Sequence, residues 1–294
     1  MANQAIYLGN YLVNNTSLPY LIAEIGINHN GDLSIAKRLL DASFATGWNC
    51  AKFQKREPEI AVPEAQKNVM RETPWGTMTY LEYKKKIEFG KEEYDYIDKY
   101  CKEKPIAWTA SPWDLPSLEF LLNYDIPFVK IASASNGDEM LIREVCKSKK
   151  PIIISDGMCS LEELDKTVEW LEQYSNGDYI ILHTNSTYPA PEDKLNIAFM
   201  NTIKERYNCL VGYSGHEQML EPTVAAAVMG ARVIERHVTI SHSLWGTDQK
   251  ASIAIGAMDI LYKRIITSLV AIGNGGEKSF DADEQEKRKK LRGR

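Results

Sequence analysis

The sequence predicts an α/β fold, a (β/α)8 TIM barrel with a short N-terminal hairpin. Eight short apolar runs recur along the chain, and none alternates polar with apolar residues. Such runs are typical of parallel strands that are covered on both faces. Segments with helical spacing separate them, and 294 residues suffice for eight such repeats. A doubly wound open sheet is the alternative, which the absence of GxGxxG after the first strand disfavours.

The strands are predicted from these apolar runs. The segment 6–13 (IYLGNYLV) precedes them, and we expect it to form the hairpin and close the barrel floor. The eight barrel strands are predicted at 20–25, 49–53, 105–110, 127–132, 151–155, 178–183, 209–213 and 232–236.

The helices are predicted from periodicity and capping. Leu33, Ala36 and Leu40 fall on one stripe of a helix over 32–46. Ser160 and Glu163 form a capping box that opens another helix. The remaining helices are predicted at 91–102, 114–124, 138–148, 196–206, 221–229 and 257–272.

Two segments do not fit the repeat. Residues 56–90 are longer than a simple connection, so we expect an excursion over the active face. The barrel should occupy 1–275, and 276–294 should be a charged tail. Since apolar periodicity is lost there, we expect a solvated, frayed end.

Composition excludes several classes of protein. The formal net charge of −5 gives no basic field for nucleic acid. The N-terminus lacks the pattern of a secretory signal, and no run of about 18 apolar residues predicts a membrane span. Five dispersed cysteines without a CxxC pair are typical of reduced thiols. The predicted location is therefore the cytoplasm, with no membrane partner.

Polar side chains follow all eight predicted strands. In a barrel the carboxyl ends of the strands carry the chemistry, so these side chains should surround one site. They are Glu24, Lys52, Gln54, Ser111, Lys130, Ser133, Ser155, Ser186, Tyr188, Ser214, His216 and His237.

His216 and His237 end adjacent predicted strands, which lie about 4.8 Å apart in a sheet. The two imidazoles are therefore predicted to bind one divalent cation, with waters, a substrate oxygen or a carboxylate completing its shell. Mixed nitrogen and oxygen ligation with open positions suits Mn²⁺ first, and Mg²⁺ or Co²⁺ as alternatives. A lone histidine would more often be an ordinary polar residue.

Lys52 and Lys130 lie on predicted strands that otherwise read as buried. A buried lysine needs an anion or has a lowered pKa. Together with the serine hydroxyls, the two lysines favour a clamp for phosphate or carboxylate. A Schiff-base lysine and a structural ion pair are the alternatives.

Several motifs, in order, resemble the N-acetylneuraminate (sialic acid) synthase family, which includes legionaminic and pseudaminic acid synthases. They are IAEIGINHNGD, KFQ, SPWD, VKIAS, SDGM, YPAP, GYSGH and ERHVT. The resemblance covers about residues 5–275. It implies the metal-dependent condensation of phosphoenolpyruvate with an open-chain aldose, giving a 3-deoxy-2-ulosonic acid and phosphate. It also implies a homodimer.

The resemblance also implies roles for individual residues. Glu24 matches the acid near the reacting carbons, and His216 and His237 match the metal ligands. Gln54, Tyr188 and Asp248 match positions that contact the sugar. The positions that contact phosphoenolpyruvate are Lys52, Ser111, Lys130, Ser133, Ser155, Ser186 and Ser214.

The chain departs from the family pattern in two places. An acid usually follows the strand-four serine, but here the run is Ser133-Ala134-Ser135. Asp138 or Glu139 could replace it only if the loop bends back. Most members also continue into an antifreeze-like domain that lends an arginine to the partner subunit's sugar site, and we expect no such domain here. Either the substrate does not need that arginine, the basic tail replaces it, or the domain is a separate chain. We therefore expect an aldose that differs from N-acetylmannosamine or is less decorated.

Three other functions stay open at this point. One is a Schiff-base aldolase on the same barrel. Another is a synthase of the heptulosonate or octulosonate type. The third is a catalytically inactive, sugar-binding relative.

Overall fold

A computed structural model describes residues 1–273 and 275–293, so Asn274, just before the predicted tail, and Arg294, its last residue, lie outside the described residues. The chain begins with an antiparallel hairpin of β1 (Ala5–Leu8) and β2 (Tyr11–Asn14). Ile6, Leu8 and Val13 of this hairpin pack into the apolar core inside the barrel. The predicted hairpin and its place at the barrel floor are confirmed.

Eight parallel strands then form a nearly closed barrel, which confirms the predicted fold class. The strands follow one another around it in the order β8, β9, β10, β11, β12, β3, β4 and β7. Between β7 and β8 the Thr109 hydroxyl donates to the Phe128 carbonyl at 3.0 Å. The strands are β3 (Tyr20–Gly26), β4 (Cys50–Lys55), β7 (Ala107–Pro112), β8 (Val129–Ile131), β9 (Ile152–Ser155), β10 (Tyr179–Thr184), β11 (Leu210–Gly215) and β12 (Val233–Thr239).

A helix follows each strand in the chain and packs outside it. Ser160 opens its helix with the predicted capping box, in which its side chain accepts from the Glu163 amide. The outer helices are α1 (Leu33–Ala45), α5 (Lys91–Glu103), α6 (Leu115–Leu121), α7 (Glu139–Lys147), α8 (Leu161–Tyr174), α9 (Phe199–Tyr207), α10 (Glu221–Val228) and α11 (Ile255–Ile272). The short strand β13 (Ile253–Ala254) pairs with β12.

The predicted excursion lies over the carboxyl end of the barrel. It contains a β5–β6 hairpin and α4, which opens with a capping box between Thr79 and Glu82. Trp245, in the loop after β12, contacts Trp75 and Tyr83 edge-on, at ring distances of 5.9 and 4.9 Å. The elements are α2 (Pro58–Ala61), α3 (Glu64–Lys67), β5 (Met70–Thr73), β6 (Gly76–Thr79) and α4 (Tyr80–Ile87).

The interior of the barrel changes from apolar to polar along the strands. Alternate residues of a strand face the same side. On β12, Val233 therefore lies in the floor core, while Glu235 and His237 face the cavity above it. Arg236 points the other way, into the helix layer. This alternation places the polar residues in one layer at the carboxyl end.

The charged tail is helical. Residues Ala282–Arg292 form α12, capped by the Asp281 side chain, so the predicted frayed end is wrong. All its side chains are exposed, which agrees with the solvated character predicted for this segment. Among the described residues, no helix is both long and apolar enough to cross a membrane. The five cysteines are all free: Cys50, Cys101, Cys146, Cys159 and Cys209.

Candidate active site

A cavity opens at the carboxyl end of the barrel, above the apolar floor. Of the thirteen predicted site residues, all but Asp248 line it. Asp248 lies at its edge, with Oδ2 3.8 Å from Nδ1 of His237. The lining residues that the sequence predicted are Glu24, Lys52, Gln54, Ser111, Lys130, Ser133, Ser155, Ser186, Tyr188, Ser214, His216 and His237.

Glu235 is the lining carboxylate that the sequence analysis did not assign. Its Oε1 lies 3.7 Å from Nζ of Lys52 and 4.0 Å from Nζ of Lys130, and accepts from Ser214 at 3.3 Å. Its Oε2 is buried without a hydrogen-bond partner. The alternation of side chains along a strand could have predicted it. Residues two apart in a strand face the same side, so if His237 faces the cavity, Glu235 faces it too.

The two buried lysines have different environments. Nζ of Lys52 lies 2.5 Å from Oε2 of Glu24 and donates to Ser111 at 3.0 Å. Burial lowers the pKa of Lys52, but Glu235 and Glu24 outweigh it and the pKa is raised. Nζ of Lys130 donates to Ser155 at 2.7 Å and has no carboxylate so close. Burial therefore lowers the pKa of Lys130 to about 8, although Glu235 opposes the shift.

Gln54 is held in a fixed orientation between two charged groups. Its amide nitrogen donates to Oε1 of Glu24 at 3.1 Å, and its oxygen accepts from Arg56. Arg56 is buried, stacks over Trp113 at 4.6 Å and lies 3.7 Å from Glu88. Arg56 was not predicted as a site residue because it follows the end of β4, where exposed arginines are common.

The loops after β9 and β10 approach each other closely at Gly157. A Cβ added there would lie 2.2 Å from the Ser186 hydroxyl and 2.7 Å from that of Ser133. A glycine is thus needed for these two hydroxyls to reach the cavity. The Ser186 oxygen is buried without a hydrogen-bond partner, which leaves it free to contact a ligand.

His216 and His237 lie together, with ring centroids 5.3 Å apart. Nδ1 of His216 donates to the Asn185 carbonyl at 2.6 Å, so Nε2 carries the lone pair; it accepts from the Tyr188 hydroxyl at 3.1 Å. Burial, with His237 nearby, lowers the pKa of His216 to about 3. Nδ1 of His237 is buried without a hydrogen-bond partner.

His216 fits a cation, since a neutral imidazole oriented through its other nitrogen is a typical metal ligand, and the unpartnered Nδ1 of His237 lies beside it. No cluster of three or more His, Cys, Asp or Glu residues suited to a metal occurs within 1–273 and 275–293. That His216 and His237 bind a cation stays a prediction, in which other ligands would complete the shell.

His183, another histidine at a strand end, does not reach the cavity. Its Nδ1 lies 2.9 Å from Oδ2 of Asp156, and its Nε2 lies 2.9 Å from the Leu195 carbonyl. Burial disfavours its charged form, but the hydrogen bond and charge of Asp156, with backbone hydrogen bonds to Leu195 and Asn196, together outweigh burial and raise its pKa. His183 thus joins the end of β10 to Asp156 after β9 and to Leu195 in the loop that follows β10.

The acid missing after Ser133 is not replaced from nearby. Asp138 caps α7, accepting from the Leu141 amide at 3.0 Å. Glu139 lies on the outer surface, beside Arg143. Neither carboxylate lines the cavity. The loop after β8 therefore does not bend back, which it would have to do for Asp138 or Glu139 to replace the missing acid.

Comparison with known proteins identifies the family. A family model described as NeuB family matches residues 39–277. The chain belongs to the NeuB family. A Drosophila melanogaster member, N-acetylneuraminate-9-phosphate synthase, is 33% identical over 80% of this chain and 63% of its own length. The N,N'-diacetyllegionaminic acid synthase of Legionella pneumophila is 33% identical over 89% of this chain and 75% of its own. This chain thus spans less than two thirds of the Drosophila relative.

A solved structure of a sialic acid synthetase has nearly the same extent as this chain. The N-acetylneuraminic acid (sialic acid) synthetase of Leptospira borgpetersenii, in complex with citrate, superposes with a TM-score of 0.86 at 30% identity. The match covers 98% of each chain. The barrel and its N-terminal hairpin are therefore a known arrangement in proteins of this kind.

Proposed function

We propose that this chain condenses phosphoenolpyruvate with an open-chain aldose, forming a 3-deoxy-2-ulosonic acid and inorganic phosphate. The observation that carries the proposal is one buried layer that combines two lysines with serine hydroxyls, two carboxylates and a histidine pair. The curated relatives named above are synthases of such acids. The proposed setting is a cytoplasmic homodimer.

Phosphoenolpyruvate carries both a phosphate and a carboxylate, which match the two lysines. Lys52 and Lys130 supply the charge, and Ser111, Ser155 and Ser186 supply hydroxyl donors. The remaining hydroxyls assigned to this substrate are those of Ser133 and Ser214. Gln54, Tyr188 and Asp248 lie nearer the mouth and would contact the aldose.

In the reaction, the enol carbon C3 of phosphoenolpyruvate forms a bond to the aldehyde carbon of the aldose. Water adds at C2, and the bond from C2 to the phosphate oxygen breaks, releasing phosphate. Glu24 is hydrogen-bonded to Gln54 and paired with Lys52, which suits it to take a proton from that water. Lys52 and Lys130 offset the charge of the departing phosphate.

His216 and His237 would hold a divalent cation, Mn²⁺ most suitably. When bound, it would polarise the aldehyde carbonyl and so favour attack on its carbon. The hydrogen bond from His216 to the Asn185 carbonyl orients the His216 ring.

The test is a phosphate-release assay with phosphoenolpyruvate, Mn²⁺ and a panel of aldoses. The panel holds N-acetylmannosamine, its 6-phosphate, and unacetylated pentoses and hexoses. We expect turnover with at least one aldose, loss of turnover in chelator, and recovery with Mn²⁺, Co²⁺ or Mg²⁺. Full activity in chelator would exclude the metal role, and no release with any aldose would exclude the proposed reaction. A tenfold preference for N-acetylmannosamine would show that the absent strand-four acid is without effect.

A Schiff-base aldolase is the second candidate, because the lowered pKa of Lys130, about 8, suits a nucleophilic amine. Borohydride treatment with a carbonyl substrate separates the two reactions. Reduction would trap a covalent adduct on Lys130 in an aldolase, and mass spectrometry should find no adduct in the condensing enzyme.

A further inference from the structure

A second cavity lies beyond the edge of the active site, between the excursion and the loop after β12. We call it the lysine cavity; Arg71, Glu72, Tyr83, Lys84, Trp245 and Thr247 line it. Its volume is about 360 Å³. A water molecule occupies about 30 Å³ in the liquid, so the cavity has room for a group as large as a phosphate.

Lys84 is buried in this cavity without a counterion. It is 9% exposed, and no carboxylate oxygen of the described residues lies within ion-pair distance of its Nζ. Burial, together with the nearby charge of Arg56, lowers its pKa to about 8, although Asp248 and Glu88 oppose the shift. A buried ammonium is expensive unless an anion accompanies it. Its nearest aromatic groups are the rings of Tyr80 and Tyr83, at 5.2 and 5.3 Å.

Two further donors line the cavity. The Tyr83 hydroxyl is buried without a hydrogen-bond partner among the described residues. The guanidinium of Arg71 is exposed to solvent, stacks over Tyr80 at 4.3 Å and has no ion pair in the part of the chain that the structure describes. Cation–π contacts account for the position of Lys84 but not for the unpaired Tyr83 hydroxyl. Glu72 is the one carboxylate among the lining residues.

Asp248 connects the lysine cavity to the active site. On one side its carboxylate lies 3.8 Å from His237. On the other side, burial raises the pKa of Tyr83 and the charge of Asp248 adds to this shift, while Asp248 opposes the lowering of the pKa of Lys84 by burial. Its neighbour Thr247 lines the lysine cavity. A molecule that begins at the histidine pair and passes Asp248 would therefore reach Lys84.

We propose that the lysine cavity binds an anionic group at the end of the aldose remote from its aldehyde. Ammonium, guanidinium and phenol groups all donate to phosphate or carboxylate oxygens. The acceptor is thus a sugar phosphate or a sugar acid. This inference rests on the proposed condensation, which places the aldehyde beside the histidine pair. It also supplies a grip on the sugar where the strand-four acid is absent.

The first test is calorimetric binding to the whole chain, in chelator to prevent turnover and with saturating phosphoenolpyruvate to fill the first anion site. The probes are N-acetylmannosamine and mannose, their 6-phosphates, and mannuronate. We expect a 6-phosphate or mannuronate to bind at least tenfold more tightly than the neutral sugar, since a charge-assisted hydrogen bond contributes about that much or more. Which of the two anions binds more tightly distinguishes a sugar phosphate from a sugar acid.

Variants then assign the effect to the cavity. Lys84→Met should reduce the preference for the anionic sugar about ten- to hundredfold. Tyr83→Phe should reduce it less, and Lys84→Arg should retain most of it. The matched control is Lys85→Met, because Lys85 is on the same helix but half exposed and paired with Glu59. It should leave the preference unchanged.

The outcomes separate this inference from the proposed reaction. Equal affinity for neutral and anionic sugars, or a preference that survives Lys84→Met, would overturn the lysine cavity as an anion site. Phosphate release with a neutral aldose would then still support the condensation. Conversely, Lys84-dependent binding without phosphate release from any aldose would retain the anion site and reject the condensation.

Discussion

Charge is balanced at the centre of the barrel by residues on different strands. Lys52 pairs with Glu24 across β3 and β4, while Glu235 lies between the two lysines. Since Lys130 has no close carboxylate of its own, its charge is the more available for a bound anion. The two lysines therefore differ in how strongly their charge is neutralised, although both are lysines on apolar strands in the sequence.

Replacing Lys130 should weaken phosphoenolpyruvate binding in particular. Lys130→Met removes a charged hydrogen bond worth about 1.5–3 kcal/mol, so we expect a KM for phosphoenolpyruvate raised at least tenfold and a smaller change for the aldose. Steady-state kinetics with each substrate varied would measure both constants. Lys147→Met, at an exposed lysine, is the control. An unchanged KM with normal turnover would refute the role.

The same lysine predicts a pH dependence. Burial lowers the pKa of Lys130 to about 8, so the side chain is charged below that pH and loses its proton above it. The value of kcat/KM for phosphoenolpyruvate should fall as pH rises through about 8. Lys130→Arg stays charged and should move this fall to higher pH. A profile that is identical in the two proteins would contradict the assignment.

Most of the site was predictable at this scale because polar residues at strand ends stand out against apolar runs. Glu235 was not predicted as a site residue because only the histidine of the run Glu235-Arg236-His237 was assigned a role. Asp156 and His183 could not be paired from sequence, since their contact depends on the register between β9 and β10.

At the scale of elements, a buried ion pair supports the histidine pair from the helix side of the barrel. Arg236 and Glu217 are each adjacent in sequence to one of the histidines, and they meet at 2.9 Å with neither side chain exposed. Thr223 donates to Glu217 and accepts from Arg236, and Tyr213 also donates to Glu217. This network fixes the ends of β11 and β12 relative to α10.

Breaking that pair should be strongly destabilising. Glu217→Gln leaves Arg236 buried without its carboxylate, and loss of one partner of a buried pair typically costs about 3–5 kcal/mol. Urea unfolding should show a free energy of unfolding reduced by that order. Asp165→Asn, which breaks an exposed pair with Arg206, should change it much less. Equal effects of the two variants would show that Glu217 is not critical for stability.

Element boundaries followed the sequence where periodicity and caps agreed. The capping box at Ser160 marked the start of α8, and the apolar run at 20–25 marked β3. The excursion was predicted to exist, but its β5–β6 hairpin was not, because its residues are largely exposed and carry little apolar pattern. α12 was missed for a similar reason, since no face of it is buried.

At the scale of the whole molecule, α12 stands apart from the barrel. Because none of its side chains is buried, it should contribute little to barrel stability. We expect that deleting the chain from Asp281 onward leaves Tm and the KM values for both substrates unchanged. Calorimetry and steady-state kinetics would measure these, and a lowered Tm would show that α12 docks on the barrel.

The hairpin beneath the barrel has a kinetic consequence. Ile6, Leu8 and Val13 close the amino-terminal end with the floor core, so ligands enter from the carboxyl end. Lys52 and Lys130 lie deep there, whereas Tyr188 is 44% exposed at the mouth. An aldose in place would obstruct the path to the lysines. Substrate addition should therefore be ordered, with phosphoenolpyruvate first. An unreactive aldose analogue should then inhibit uncompetitively against phosphoenolpyruvate, whereas competitive or mixed inhibition would show that either substrate can enter first.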